Sequence, residues 1–198
     1  MKNIYLIGDS IRVGTTSGVV TPGYELFVRK KCDGKYGIYS PEENSRFAQY
    51  TLRNLYEWVS GFDTSIIDVI HWNNGLWDVL RLNGDDPLTP IDMYELMLRR
   101  IIKKMRLLFP NAKIIFATTT PVCEEAAPEN YMRYNCEIEK YNDVAKKIMA
   151  ENNICIDDLY STAKKINASY CADWTHFNSE GAKILAEAVV KSIEKSLA

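Results

Sequence analysis

The sequence contains few of the residues that bind metal ions or cross-link small proteins. Its five cysteines are odd in number and widely spaced, and no two of them form a C-x-x-C pair. This spacing argues against a zinc site and against a disulfide framework. A chain of 198 residues can bury about 70% of its unfolded surface, so its core needs neither. We therefore expect no metal and no cofactor.

An excess of charge of one sign and long apolar runs are also missing. The formal net charge is −2 and the basic residues are scattered, which argues against a nucleic-acid partner and against a basic membrane face. No run approaches the length of a transmembrane helix, and the first residues lead into a short strand rather than a signal peptide. We expect a cytoplasmic protein that binds neither nucleic acid nor membrane. The sequence leaves open whether it is a monomer or a homo-oligomer.

Short apolar runs alternate with helical patterns along the chain. The runs predict strands at residues 3–8, 36–39, 66–72, 113–121 and 154–156. Helical periodicity predicts helices within residues 44–61, 90–110 and 129–152, and a last helix from about residue 178. Strands that alternate with helices predict one three-layer α/β/α sandwich around a parallel five-stranded sheet. In such sheets, ligands bind beyond the carboxyl ends of the strands.

Histidine is scarce, since the chain has only His71 and His176. Ser10 follows the first predicted strand, and a serine hydroxyl becomes a nucleophile when a base, usually histidine, takes its proton. His71 lies within a predicted strand, so we interpret it as a structural residue. His176 follows Asp173 by three residues in a polar loop, where the carboxylate can orient one ring nitrogen and leave the other for the serine. Alternatively, Asp173 and Asn178 merely turn the chain and cap the last helix.

The stretch NNGLWD, residues 73–78, follows the third predicted strand and has two interpretations. Asn-Gly is a common turn after a strand. An asparagine amide that faces the serine could instead donate a hydrogen bond to the oxyanion of a tetrahedral intermediate. Such a donor is worth roughly 3–4 kcal/mol in enzymes from which it has been removed.

Together these motifs resemble those of the SGNH (GDSL-like) hydrolases. The shared features are Gly8-Asp9-Ser10 after the first strand, an asparagine after the third, and D-x-x-H-x-N-x-x-G at residues 173–181. They extend from residue 4 to the last helix. The resemblance implies a single domain over residues 1–198, with a flavodoxin-like fold and the strand order 2-1-3-4-5. It also implies a catalytic triad in which Ser10 is the nucleophile, His176 the base and Asp173 the orienting acid.

The resemblance further implies an oxyanion hole. Its donors would be the backbone N–H of Ser10, a backbone N–H after the second strand, and the asparagine side chain. The family's G-x-N-D block is replaced by H-W-N-N, so that Asn73 takes the asparagine position, or Asn74 if the register is shifted by one. The family's second-block glycine has no clear counterpart, and in EENSR (42–46) Ser45 stands in the corresponding place. The chain also has no G-x-S-x-G, which argues against the common α/β-hydrolase elbow.

Aromatic side chains suggest a substrate class. Trp72, Trp77 and Trp174 lie in the motif segments, where they could stack on sugar rings or simply pack in the core. Arg12 could contact an acidic substrate group or pair with Asp78. The sequence has no separate apolar flap for a long acyl chain, and the family includes carbohydrate deacetylases. We therefore expect a serine esterase that acts on short-acyl, above all acetyl, esters of small molecules or oligosaccharides.

The sequence is also compatible with two other functions. The loop DSIRVGTTSG, residues 9–18, could bind the phosphate of flavin mononucleotide or another nucleotide in a flavodoxin-like protein, through Ser10, Thr15 and Thr16. The chain could also be an interaction module without activity, although an intact set of Ser, His and Asp disfavours this. A flavoprotein purifies yellow and a serine hydrolase colourless.

Overall fold

A five-stranded parallel sheet forms the centre of the computed structural model, which describes residues 1–15 and 18–198. In chain order its strands are β1 (Lys2–Ile7), β2 (Tyr36–Tyr39), β3 (Val69–Trp72), β4 (Lys113–Ala117) and β5 (Cys155–Asp157). They lie side by side in the order β2-β1-β3-β4-β5, and every neighbouring pair is parallel. The predicted parallel sheet and its strand order are therefore confirmed.

Helices connect the strands. The described part of the chain contains α1 (Ser10–Val13), α2 (Tyr24–Cys32), α3 (Ala48–Asn54), α4 (Ile91–Leu108), α5 (Asn135–Glu151), α6 (Leu159–Ala163) and α7 (Ser179–Leu197). Short 3₁₀ helices lie at Glu57–Val59, Thr64–Ile66, Glu124–Ala126 and Ala168–Tyr170. Two-residue antiparallel ribbons pair Gly14–Thr15 with Thr21–Pro22, and Arg81–Leu82 with Tyr131–Met132.

The helix predicted within residues 129–152 begins later than expected. Residues 131–132 pair as a strand with residues 81–82, and α5 starts only at Asn135. This pairing joins positions about fifty residues apart, so helical periodicity alone could not reveal it.

The sheet is covered on both faces, as a parallel sheet requires. One group of contacting helices contains α2, α6 and α7, and the other contains α3, α4 and α5. Residues Ile4 to Ile7 of β1 are at most 3% exposed, which explains why this strand reads as a continuous apolar run. The predicted α/β/α sandwich is confirmed. In the described part of the chain, no helix combines the length and apolarity needed to cross a membrane.

Candidate active site

Ser10 lies where β1 ends and the chain turns into α1. Asp9 caps this helix, because its Oδ1 atom accepts a hydrogen bond from the backbone N–H of Ile11 at 2.9 Å. Burial raises the pKa of the Asp9 carboxyl, while the Ile11 N–H and nearby cations oppose that shift. Ser10 is the first residue of the helix, so its own N–H has no partner within the helix. Asp9 thus shapes the turn that presents Ser10.

The loop before α7 holds Asp173 and His176 in a fixed relation. The Oδ1 atom of Asp173 accepts the backbone N–H groups of Thr175 and His176, each at 2.7 Å. Its Oδ2 atom lies 2.7 Å from Nδ1 of the His176 ring. Burial alone would raise the pKa of Asp173, but the hydrogen bonds from the His176 ring and the two backbone N–H groups together lower it. The carboxylate is therefore kept ionised, and it orients the imidazole.

These two parts of the chain meet at the serine hydroxyl. Nε2 of His176 lies 2.8 Å from Oγ of Ser10. The carboxylate of Asp173, the imidazole and the hydroxyl therefore form one continuous hydrogen-bonded series. Such an arrangement lets one ring nitrogen accept the serine proton while the other donates to the carboxylate.

Asn73 and Asn74 follow β3 and differ in how their amides are used. Asn73 donates one N–H to the carbonyl oxygen of Ala117 at 2.9 Å. An amide nitrogen carries a second hydrogen, for which no partner appears in the part of the chain that the structure describes. Asn74 instead donates to the Arg46 carbonyl at 2.9 Å and accepts from Trp72 Nε1 at 2.7 Å. The amide of Asn74 therefore links two parts of the protein, whereas the amide of Asn73 keeps one N–H available for a ligand.

Ser45 does not supply the expected backbone donor. Its N–H donates to the carbonyl oxygen of Gly8 at 3.0 Å, and its Oγ accepts the Gly8 N–H at 3.2 Å. The prediction for Ser45 was wrong, because its N–H is already used to join this segment to β1. The next residue, Arg46, has a φ of 47°, a conformation that glycine adopts most easily. The Arg46 N–H donates to the Asn44 side chain at 2.8 Å.

Two of the predicted substrate contacts, Arg12 and Trp72, lie inside the protein. Arg12 is 1% exposed and forms an ion pair with Glu25, so it contacts neither a substrate nor Asp78. Trp72 is fully buried and packs edge-on against Phe116, with 4.9 Å between the ring centroids. The substrate contacts predicted for both residues were wrong, because long-range contacts draw these side chains into the core, where Trp72 takes the alternative core-packing role.

A cavity of about 800 Å³ opens beside Ser10 and His176. Trp77 and Trp174 line it, as does Tyr131 from the ribbon at residues 131–132. The Trp174 and Tyr131 rings meet edge-on with centroids 6.3 Å apart. A larger groove of about 1200 Å³ lies between α3 and α4, but it is lined by none of the predicted site residues. The chemistry of the smaller cavity identifies it as the candidate active site.

Arg133 also lines this cavity, and sequence reasoning missed it. The side chain is 3% exposed, and its Nε donates to the Leu76 carbonyl at 2.6 Å. Its guanidinium carbon lies 5.2 Å from the centroid of the Tyr131 ring. Burial lowers the pKa of Arg133, although the Tyr131 side chain and, after it, the charges of Asp9 and Asp173 partly oppose this. No motif around residue 133 points to this position, because the residue falls within the helix predicted over residues 129–152.

His71 occupies a different place from His176. Its Nε2 lies 2.8 Å from Oδ2 of Asp157 within the sheet, and its ring is fully buried. No hydrogen bond joins it to Ser10 among the residues that the structure describes. This position matches the interpretation of His71 as a structural residue.

The phosphate-binding alternative fits this geometry poorly. The Ser10 hydroxyl is hydrogen-bonded to His176, and the Thr15 hydroxyl donates a hydrogen bond to the Val19 carbonyl. Thr16 lies outside the described residues. The Asp9 carboxylate already accepts the Ile11 N–H at the N-terminus of α1, so it takes up a backbone donor that a phosphate would need.

Comparisons with known proteins identify the family and support the fold. The model of the GDSL-like Lipase/Acylhydrolase family matches residues 6–184. A GDSL esterase/lipase from Arabidopsis thaliana is 23% identical over 187 residues, which cover 82% of this chain and 73% of the relative. A lipase/acylhydrolase structure from Enterococcus faecalis superposes with a TM-score of 0.78 at 20% identity, covering 98% of this chain and 96% of the other. An acetylxylan esterase structure from Geobacillus stearothermophilus has a TM-score of 0.71 at 22% identity, covering 97% and 94%.

Proposed function

The chain belongs to the GDSL-like lipase/acylhydrolase family and is a carboxylic ester hydrolase, and from that premise we propose that Ser10, His176 and Asp173 form its catalytic triad. The observation that carries the proposal is the hydrogen-bonded series from Asp173 through His176 to Ser10 at the wall of the cavity. Each member holds the atom that its role needs: a hydroxyl, a ring nitrogen facing it, and a carboxylate behind the ring.

The reaction begins when the Ser10 hydroxyl attacks the ester carbonyl and Nε2 of His176 takes its proton. The resulting imidazolium is stabilised by Asp173 and returns the proton to the departing alcohol. An acyl group then remains on Ser10. Water, activated by the same histidine, attacks this acyl-enzyme and releases the carboxylic acid with the free serine.

Two donors stabilise the oxyanion of each tetrahedral intermediate. One is the backbone N–H of Ser10, which α1 leaves without a helical partner. The other is the second amide hydrogen of Asn73, whose nitrogen is held by the Ala117 carbonyl. Fixed donors of this kind lower the barrier because they need no reorganisation as the charge develops.

The preferred substrates are short-acyl esters, above all acetyl esters of carbohydrates. Trp77, Trp174 and Tyr131 give the cavity aromatic faces, which suit the apolar faces of sugar rings while leaving hydroxyl groups in water. The structural similarity to an acetylxylan esterase also supports this substrate class.

Acetate release from a panel of acetylated sugars, measured beside p-nitrophenyl esters, tests the proposal. We expect the purified protein to be colourless and to release acetate from at least one acetylated carbohydrate. Hydrolysis of p-nitrophenyl acetate without release from any sugar would contradict the substrate class but leave the esterase mechanism intact. Bound flavin, with no hydrolysis of any ester, would contradict both.

A further inference from the structure

We propose that Arg133 binds a carboxylate group of the ester substrate, so that the enzyme prefers acetyl esters of acidic sugars or of other carboxylate-bearing alcohols. This inference rests on the proposed function and narrows its substrate class. The anionic group was expected to meet Arg12, but Arg12 is paired with Glu25 inside the protein. Arg133 is the buried guanidinium that lines the cavity.

Arg133 is a buried cation without a direct counter-charge. It is 3% exposed, yet no carboxylate of the described residues lies within 4.0 Å of its nitrogen atoms. Among the described residues, its one direct hydrogen bond is from Nε to the Leu76 carbonyl at 2.6 Å. A buried charge is costly unless it is paired and hydrogen-bonded. A carboxylate entering the cavity would supply the missing partner.

The two nearest acidic residues already have other tasks. Asp9 caps α1 through the Ile11 N–H, and Asp173 accepts three hydrogen bonds within its own loop. Both carboxylates influence Arg133 only through space. In the described part of the chain, the guanidinium has the Tyr131 side chain as a polar neighbour and no carboxylate within 4.0 Å of its nitrogen atoms, so its terminal nitrogen atoms can still take a carboxylate ligand.

The surroundings of Arg133 favour a planar anion. The Nε bond to Leu76 fixes the side chain at one end, and the guanidinium lies over the Tyr131 ring. A guanidinium held in this way presents a rigid fork that matches the two oxygens of a carboxylate. The same cavity wall carries Trp174 and His176, so a sugar ring could contact the aromatic residues while its acid group reaches Arg133.

Arg46 is the other arginine of the cavity and offers a matched control. It is exposed and stacks on Tyr50, with 4.8 Å between its guanidinium carbon and the ring centroid. The exposed carboxylate of Glu42 lies on the same rim. Solvent screens a charge in this position, so Arg46 should contribute little to anion selectivity.

The test compares an O-acetylated methyl glucuronoside with its uncharged glucuronamide counterpart. We expect wild-type kcat/KM to be about tenfold to a hundredfold higher for the acid, the size of a charge-assisted hydrogen bond. Arg133→Gln should reduce this ratio to about one, and Arg133→Lys should leave an intermediate value because it keeps the charge without the fork. Arg46→Gln should retain the wild-type ratio. Thermal melting of each variant shows whether it still folds. If Arg133→Gln does not fold, the acid-to-amide ratio of Arg133→Lys still tests the proposal.

Binding of the same two compounds to the Ser10→Ala variant separates this proposal from the esterase mechanism. Calorimetry should show tighter binding of the acid, and the preference should disappear in the Ser10→Ala/Arg133→Gln double variant. Equal kcat/KM for acid and amide, or a preference that survives Arg133→Gln, would overturn the role of Arg133 while the esterase stands. Hydrolysis of neither compound and of no p-nitrophenyl ester, together with preferred binding of the acid, would contradict the esterase proposal but support the carboxylate site.

Discussion

Nε2 of His176 and Oγ of Ser10 lie 2.8 Å apart, although the two residues are 166 positions apart in the sequence. The contact forms because β1 ends at the same edge of the sheet against which the loop before α7 packs. The chain's other histidine is held inside the sheet by Asp157. The proposed mechanism therefore depends on one histidine, and the two can be separated by substitution.

His176→Ala should lower kcat by about 10³-fold or more, because among the described residues no other base is hydrogen-bonded to the serine hydroxyl. His71→Asn should mainly affect stability or KM. Steady-state kinetics and thermal melting of both variants check this. Loss of turnover in His71→Asn, with most activity kept in His176→Ala, would show that the base is misassigned.

Asn73→Ala should lower kcat by about 10²–10³-fold, since it removes a donor to the oxyanion but not to the ground-state ester. Asn74→Ala is the matched control. It should mainly lower the melting temperature, because its amide links the Arg46 carbonyl to the Trp72 indole. If Asn74→Ala shows the kinetic defect and Asn73→Ala does not, the register shifted by one residue is correct.

The acyl preference should be short. Bulky aromatic residues line the cavity beside Ser10, and we expect them to limit the room for a long chain. A series of p-nitrophenyl esters should give its highest kcat/KM for acetate and decline with chain length. A higher kcat/KM for octanoate than for acetate would be incompatible with this account.

The buried carboxyl group of Asp78 should make the stability of the folded protein depend on pH, independently of catalysis. This carboxyl is fully buried and accepts the Ala48 N–H at 2.9 Å, and burial raises its pKa to about 7. Because this exceeds the ordinary value near 3.9, the folded state binds the proton more tightly. The contribution of this bound proton to the free energy of unfolding is fully present below about pH 4 and is lost as the pH rises through about 7.

Asp78→Asn keeps an oxygen for the Ala48 N–H and removes the ionisation. We expect the variant to be more stable than wild type at pH 8, by about 1–3 kcal/mol, with a smaller gain at pH 5. Urea unfolding at both pH values measures this difference. Asp33→Asn, at an exposed position, is the control and should change little. An equal gain at both pH values would mean that ionisation of Asp78 is not the cause.

The sequence predicted the fold and part of the site because those features are encoded locally. Asp173 and His176 are three residues apart in one loop, and Ser10 directly follows a buried strand, so their positions follow from neighbouring residues. The positions of Arg12, Trp72 and Ser45 depend instead on distant partners: Glu25, Phe116 and the Gly8 carbonyl.

Arg133 was missed for a related reason. Its place on the cavity wall depends on the pairing of residues 131–132 with residues 81–82 and on the Leu76 carbonyl. Neither contact leaves a periodic signal in the sequence around residue 133. Side-chain positions that depend on long-range pairing can be identified only from the structure.

The most direct test of the central claim is active-site labelling with a fluorophosphonate, located by mass spectrometry of the digested protein. We expect one label per chain, on Ser10, and no label on the Ser10→Ala variant. That variant should keep the wild-type melting temperature while kcat falls by about 10³–10⁶-fold. Ser169→Ala, an exposed serine near the catalytic loop, should be labelled like wild type. A label on any other serine, or a Ser10→Ala variant that is still labelled, would contradict the assignment of Ser10 as the nucleophile.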